Sequence, residues 1–210
     1  MGYKHIVFDI DNTLINTTTA VLHGLQKALR EVTGRHVEVG HLTFVLGIPG
    51  LEAFEQLGIR APEQIFKIYS LWEQYETEFQ YTTYVYDGIV PLLDCLRKKG
   101  LDLGIITSKT GAQYSSSFLP FGISGYFRTV ITADDTIGHK PGPEPMEEYM
   151  ARAGALPEQV LYVGDSIYDM QCASSAGVDC ALALWGSYDG ERISSTCRCP
   201  GPEDLLKYLD

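Results

Sequence analysis

The sequence lacks the features that would place it in a membrane or with nucleic acid. It contains no run of about 18 apolar residues, so no transmembrane helix is predicted. Positive charge is scarce, because 16 lysines and arginines stand against 27 aspartates and glutamates, for a formal net charge of −11. A basic face for nucleic acid or an anionic membrane is therefore not expected, and we predict neither partner.

Cysteine is also too sparse and scattered to build a metal centre or a disulfide framework. The five cysteines are odd in number, and the close pair Cys197 and Cys199 lacks the spacing of a zinc site. Reduced thiols are typical of the cytosol, and the amino terminus leads into a charged strand without a signal-peptide pattern. These observations predict a cytoplasmic protein, either a monomer or a homodimer.

What the sequence does contain is an alternation of strand and helix patterns after residue 87. Short β-branched runs predict buried strands, and they alternate with segments of helical period. The predicted strands are 101–106, 129–133, 160–163 and 180–184. The predicted helices are 89–99, 111–119, 144–153, 168–176 and 202–209. This alternation is typical of an α/β protein with a doubly wound parallel sheet.

A helical segment interrupts this α/β pattern near its start. A first apolar strand is predicted at residues 6–8, and from 14 to about 83 the sequence shows helical patterns and no strand. We therefore expect an α/β core made of 1–14 and 84–210, with an all-helical insertion over 15–83. The apolar, aromatic-rich stripe within 65–79 predicts packing between helices of the insertion.

Two aspartates, Asp9 and Asp11, follow the first strand directly. In open α/β sheets, ligands bind at the carboxyl ends of the strands. Neighbouring carboxylates repel each other, and a cation or a shared proton is the best way to hold their charge. The pair therefore predicts a metal-assisted nucleophilic site.

Later strands also end in polar residues, although each has an ordinary structural explanation as well. Thr107 and Ser108 suit phosphate binding before a helix, but hydroxyls also cap helices. Lys140, in a loop of proline and glycine, can hold its ammonium against a phosphoryl group, or be a solvated surface charge. Asp165 and Asp169 offer the oxygen ligands that Mg²⁺ prefers, whereas Asp165 could also cap a helix.

Taken together and in this order, the motifs resemble those of the haloacid dehalogenase-like (HAD) hydrolase superfamily, over the whole chain. They read Asp-x-Asp-x-Thr, a hydrophobic strand ending in Thr, Lys-Pro, and Gly-Asp-Ser-x-x-x-Asp. The core resembles that family's Rossmann-like domain, and the insertion resembles its helical cap. The stretches closest to the phosphoglycolate phosphatase and pyrophosphatase-like branch are Gly47-Ile48-Pro49, Gly177-Val178 and Leu184-Trp185-Gly186.

The resemblance implies a Mg²⁺-dependent phosphatase that hydrolyses a small phosphorylated metabolite through an aspartyl-phosphate. It implies that Asp9 is the nucleophile and Asp11 the general acid/base. The residues implied to bind the phosphoryl group are Thr107, Ser108 and Lys140. The residues implied to hold Mg²⁺ are Asp9, Asp11 (through its backbone carbonyl), Asp165 and Asp169 (as an outer ligand).

The sequence departs from the family pattern at Asn12, where many relatives have glycine, and at Asn16, where an acid is frequent. Asparagine enters the left-handed region easily, so we expect the turn after Asp11 to survive. Three other functions stay open: a phosphomutase of the β-phosphoglucomutase kind, a nucleotidase or pyrophosphatase of the same superfamily, and a non-catalytic phospholigand sensor.

Overall fold

The computed structural model describes residues 2–47 and 50–209 of the chain. Ile48 and Pro49, in one of the stretches that resemble the phosphoglycolate phosphatase branch, lie outside the described residues. The chain divides into two compact units, Met1–Ile15 with Val85–Asp210, and Asn16–Tyr84. Within the described part of the chain, no helix combines the length and hydropathy needed to span a membrane.

The order of elements follows the alternation that the sequence predicts. The helices and strands are β1 (His5–Phe8), β2 (Ile15–Asn16), α1 (Thr18–Thr33), α2 (Gly50–Gln56), α3 (Pro62–Glu78), β3 (Tyr84–Val85), α4 (Ile89–Lys98), β4 (Asp102–Ile106), α5 (Gly111–Gln113), β5 (Thr129–Ile131), α6 (Glu144–Ala153), β6 (Val160–Gly164), α7 (Ile167–Ser175), β7 (Asp179–Ala183) and β8 (Cys197–Cys199). Short 3-10 and π helices lie between and after them. Strand β2 pairs with β3 as a separate two-stranded sheet, so the prediction of no strand from 14 to about 83 is wrong at Ile15–Asn16.

The first unit is built on a six-stranded sheet of order β5-β4-β1-β6-β7-β8, whose neighbouring strands are all parallel. Phe8 in the central β1 pairs with Ile105 on one side and Val163 on the other. The chain runs outward from β1 in both directions, which makes β1 the topological switch point of the sheet. The residues that follow β1, β4 and β6 therefore meet at one edge.

Both faces of this sheet are covered, because side chains of a strand alternate between its two faces. Ile6 and Phe8 belong to a core that includes Leu93 of α4, whereas Val7 belongs to a second core that includes Met146 of α6 and Met170 of α7. A strand buried on both faces must be apolar throughout, as β1 is. The predicted α/β fold with a doubly wound parallel sheet is confirmed.

Three local predictions for this unit need correction. A sixth strand, β8, was not predicted from the sequence, and the helix predicted over 202–209 is a 3-10 helix at Pro202–Tyr208. The helix predicted over 111–119 is one α-helical turn followed by a π-helical turn at Tyr114–Phe118. Ser115 and Ser117 donate their hydroxyls to the carbonyls of Gly111 and Gln113, at 2.8 and 2.7 Å. Such bonds compete with regular helix geometry.

The second unit, Asn16–Tyr84, packs its helices around a core of its own that contains Leu25, Phe54 and Ile68. Helix α3 contacts α1 closely, and the Trp72 indole nitrogen donates to the carbonyl of Val21 at 2.9 Å. The prediction that the aromatic-rich stripe serves helix packing is confirmed by these contacts.

Candidate active site

The carboxyl end of β1 places Asp9 at the centre of the sheet edge. Its backbone amide donates to the carbonyl of Val163 at 2.9 Å, which extends the ladder between β1 and β6 by one residue. The side chain is 7% exposed, so the carboxylate is held in a largely dry environment. Burial, together with the charges of Asp169 and Asp11, raises the pKa of Asp9 to about 7, although Lys140 opposes this rise.

The turn after β1 is held by contacts from a distant loop. Asn12 has φ 54°, in the left-handed region, so the prediction that asparagine supports this turn is confirmed. The Trp185 indole nitrogen donates to the carbonyl of Thr13 at 2.9 Å. A Cβ added to Gly186 would lie 1.7 Å from the carbonyl oxygen of Asn12, so only glycine fits there.

Lys140 reaches this edge from the loop before α6. Its Nζ donates to one carboxylate oxygen of Asp9 and one of Asp169, at 2.8 Å each, and its side chain is 9% exposed. Burial would lower the pKa of Lys140, but Asp169 and Asp9 outweigh burial and raise it. The lysine is therefore a buried cation shared by two carboxylates, and the alternative of a solvated surface charge is wrong. His139 beside it is exposed.

Asp165 and Asp169, the acids after β6, lie in very different surroundings. The oxygens of Asp169 are occupied, because Lys140 donates to Oδ1 while the Ser166 amide and hydroxyl donate to Oδ2, at 3.1 and 2.6 Å. Burial opposes the ionisation of Asp169, but Lys140 and Ser166 lower its pKa. Asp165 has no side-chain hydrogen bond or ion pair within the described residues, and burial raises its pKa well above the usual range.

The segment after β4 brings Thr107 and Ser108 to the same edge. Thr107 is buried and its hydroxyl accepts a hydrogen bond from the amide of Lys109 at 3.2 Å, whereas Ser108 is exposed. Lys109 places its Nζ 2.9 Å from a carboxylate oxygen of Asp11, forming an ion pair with a half-buried acid. Lys109 follows Thr107 and Ser108 directly in the sequence, but no sequence signal identifies its partner.

The acidic residues fit a hard divalent cation. Asp9, Asp165 and Asp169 are buried and bring one carboxylate oxygen each within 4.8 Å of one another. The group has three buried carboxylates and one ammonium, that of Lys140, which pairs with Asp9 and Asp169. Asp165 has no ion pair within the described residues, so its carboxylate is best suited to bind a metal directly. Asp11 is outside this group, so its predicted role as a ligand through its backbone carbonyl stays a prediction.

Tyr162 is a second residue that reasoning from the sequence missed. It lies in β6, is fully buried, and its hydroxyl is 3.0 Å from Asp169 Oδ1 and 3.4 Å from Lys140 Nζ. A tyrosine inside a buried strand is indistinguishable from an apolar core residue until its neighbours in space are known. No periodicity in the sequence carries that information.

Comparison with known proteins agrees with this geometry. Residues 6–183 match the haloacid dehalogenase-like hydrolase family, so the chain belongs to that family. A pyrophosphatase, PpaX, of Oceanobacillus iheyensis is 30% identical over 200 residues, which cover 93% of this chain and 90% of the relative. A phosphoglycolate phosphatase of Salmonella choleraesuis is 28% identical, with 91% of this chain and 85% of the relative covered.

Solved structures give the same assignment. One is a Lactobacillus plantarum protein that is provisionally named a phosphoglycolate phosphatase, with a TM-score of 0.91 and 28% identity. The match covers 99% of this chain and 100% of the Lactobacillus plantarum chain. The predictions that this chain is a HAD hydrolase and an enzyme of the phosphatase type are confirmed.

Proposed function

We propose that this protein is a Mg²⁺-dependent phosphatase that hydrolyses small phosphomonoesters through an aspartyl-phosphate on Asp9. The single observation that carries the proposal is the position of Lys140, whose ammonium joins Asp9 to Asp169 at 2.8 Å each. A buried cation beside a buried carboxylate is suited to accept the negative charge of a phosphoryl group.

In the first half of the reaction, Asp9 attacks phosphorus with the carboxylate oxygen that does not bind Lys140. The bond between phosphorus and the ester oxygen breaks, and Asp11 gives its proton to that leaving oxygen. Lys140 neutralises charge on the phosphoryl oxygens, while Thr107 and Ser108 hold the group in place. Lys109, whose Nζ lies 2.9 Å from a carboxyl oxygen of Asp11, orients this side chain both before and after it gives up its proton.

In the second half, a water molecule attacks the phosphorus of the aspartyl-phosphate. Asp11, now a carboxylate, takes a proton from this water, and the bond between phosphorus and the oxygen of Asp9 breaks. Inorganic phosphate leaves, and both aspartates return to their starting states. The same carboxyl group thus serves as acid in one step and as base in the other.

Mg²⁺ would be held by Asp9, by Asp165 and by the backbone carbonyl of Asp11, with Asp169 as an outer residue that orients the site. The metal supplies positive charge that offsets the repulsion between the carboxylates and the phosphoryl group. Asp165 supports this assignment because its carboxylate forms no ion pair or side-chain hydrogen bond within the described residues. Both oxygens of Asp169 already accept protein hydrogen bonds, which supports its outer position.

We also propose that the helical unit acts as a cap over the core, with the domain limits predicted from the sequence, 15–83 for the cap and 1–14 with 84–210 for the core. Such a cap would open for substrate and close to limit access of water. Small-angle X-ray scattering with and without vanadate, a phosphate analogue, tests closure. We expect a smaller radius of gyration with vanadate, and superimposable profiles would contradict closure.

Two substrates stand out because relatives are named for them. Phosphoglycolate is our first candidate, and inorganic pyrophosphate is the second, supported by the 30% identity to a protein named pyrophosphatase. Release of inorganic phosphate should be measured over phosphoglycolate, pyrophosphate, nucleotides and sugar phosphates, with p-nitrophenyl phosphate as a general reporter. The substrate with the highest kcat/KM identifies the class.

The mechanism itself is tested by Asp9→Asn, which keeps the shape of the side chain and removes its nucleophilicity. We expect activity towards p-nitrophenyl phosphate to fall by at least about a thousandfold. Near-normal turnover by this variant would exclude the aspartyl-phosphate route.

The remaining alternatives have distinct outcomes in the same assays. A phosphomutase would isomerise a sugar phosphate without net release of phosphate. A structure named β-phosphoglucomutase, from Thermotoga maritima, shares the fold at a TM-score of 0.73, but its 19% identity carries no information on activity. A phospholigand sensor would bind phosphate esters tightly and hydrolyse none of them.

A further inference from the structure

The hydroxyl of Tyr162 occupies the point where three segments of the first unit meet. Besides Lys140 and Asp169, it lies 3.2 Å from the carbonyl oxygen of Ile106, the last residue of β4. Tyr162 itself is in β6, Lys140 precedes α6, and Asp169 is in the first turn of α7. One side-chain oxygen therefore contacts the carboxyl end of β4, the cation Lys140, and one of the two carboxylates that bind this cation.

The hydrogen-bonding capacities around this hydroxyl are nearly filled. Lys140 has three N–H donors, and its three acceptors are a carboxylate oxygen of Asp9, one of Asp169, and the Tyr162 hydroxyl. The single O–H of Tyr162 can be donated to Asp169 or to the carbonyl of Ile106. Among the described residues, three acceptors thus define the position of the ammonium, and the Tyr162 hydroxyl is the uncharged one of the three.

We infer that Tyr162 is a positioning residue that holds Lys140 and Asp169 in the arrangement needed for phosphoryl transfer. The inference rests on the proposed function. Without the hydroxyl, Lys140 keeps two acceptors and can move between them, so its charge is no longer fixed relative to Asp9. Because the site is buried, water cannot easily take the place of a hydrogen-bond partner that is lost. The cost falls on the transition state, where charge on the phosphoryl group must be matched by a fixed cation.

The test is Tyr162→Phe, matched by Tyr149→Phe as a control. Tyr149 is also fully buried in the first unit, and its hydroxyl lies 3.3 Å from Nδ1 of His5, at the opposite end of the sheet. Each variant removes one buried hydroxyl that has a side-chain partner. For both variants, kcat and KM for p-nitrophenyl phosphate and the midpoint of thermal unfolding should be measured beside the wild type.

We expect Tyr162→Phe to lower kcat about tenfold, the effect of a lost buried hydrogen bond of about 1.4 kcal/mol, with KM changed less than about threefold. Tyr149→Phe should keep the wild-type kcat and show a fall in unfolding midpoint similar to that of Tyr162→Phe. A Tyr162→Phe protein with the kcat of the control would overturn the inference. An unfolding midpoint so low that the unfolded fraction at the assay temperature explains the whole loss of kcat would also overturn it, because the hydroxyl would then be structural. A wild type that releases no phosphate from any substrate would instead contradict the proposed function.

Discussion

The two ends of strand β1 carry buried polar residues of opposite character. At its start, the His5 ring makes an edge contact with Tyr149, with its Nδ1 3.3 Å from the Tyr149 hydroxyl. At its end, Asp9 lies in a group of three buried carboxylates, two of which share the ammonium of Lys140. The first end is balanced without net charge, whereas the second has more negative charge than the protein neutralises.

This difference in charge distinguishes a polar cluster that serves structure, around His5, from one suited to catalysis, around Asp9. A cleft of about 120 Å³ is lined by His5 and by Arg152, which pairs with Asp135 and Glu148 at 2.8 and 2.6 Å. Two other charged residues of its lining, Asp102 and Arg128, lie 3.7 Å apart and also form a pair. Buried carboxylates in excess are costly to maintain, and such sites are typical of function rather than of stability.

The largest effect expected from this contrast is that of metal removal. Treatment with EDTA should reduce phosphatase activity at least about a hundredfold, and added Mg²⁺ should restore it, because the carboxylate group needs a cation to accept a phosphoryl group. Mg²⁺ at about a hundred times its Kd should also raise the free energy of unfolding by about 2.7 kcal/mol. Full activity in EDTA would contradict the metal assignment.

The next effect concerns Asp165 alone and has opposite signs for activity and stability. Asp165→Asn should lower activity by about a hundredfold or more, since a metal ligand is lost. In EDTA it should raise the free energy of unfolding by about 1 kcal/mol or more, because folding without a metal opposes the ionisation of this buried carboxyl group and asparagine does not ionise. Urea unfolding measures the second quantity. Asp102→Asn, at the start of β4 and half exposed, is the control and should change neither. A destabilised Asp165→Asn protein would show that this carboxylate is already satisfied.

A smaller loss is expected from Lys109→Met, which removes the ion pair that holds Asp11. The general acid/base would then sample more orientations, and kcat should fall about tenfold. Lys4→Met removes an exposed lysine just before β1 and should leave kcat unchanged. Equal kcat values for the two variants would show that Asp11 is positioned without Lys109.

The smallest effect concerns His5 and appears only in the pH dependence of stability. Burial lowers the pKa of His5, although the charge of Asp102 acts in the other direction. The folded state thus favours the neutral ring, so its contribution to stability is present above the unfolded pKa of about 6.5 and is lost as pH falls below it. Urea unfolding between pH 8 and 5 should show this loss in the wild type and not in His5→Gln, with activity at pH 8 unaltered. Identical pH profiles would contradict the assignment.

Local pattern was sufficient to predict the sheet and the residues at its carboxyl edge. Asp9, Thr107 and Asp165 follow apolar strands, and parallel strands bring their carboxyl ends together whatever their separation in sequence. Strand β8 could not be predicted this way, because Cys197-Arg198-Cys199 is a three-residue segment without an apolar run. It becomes a strand by pairing with β7, which is a tertiary contact.

The contacts among the site residues could not be predicted from the same patterns. Lys140 was an expected phosphate ligand, but its bonds to both Asp9 and Asp169 depend on how a loop folds over the sheet edge. The ion pair of Lys109 with Asp11 and the position of the Tyr162 hydroxyl are of the same kind. Each joins residues whose distance is set by packing and not by spacing along the chain.

The central position of β1 also determines when the site can form during synthesis. His5–Phe8 is made first, but it bonds to β4 on one side and to β6 on the other, and β6 begins only at Val160. A ribosome must therefore release most of the chain before Asp9 gains the backbone partner at Val163. Asp165 and Asp169 follow later still. A nascent or truncated chain thus contains the candidate nucleophile without the other acids, and the active site is assembled among the last parts of the core.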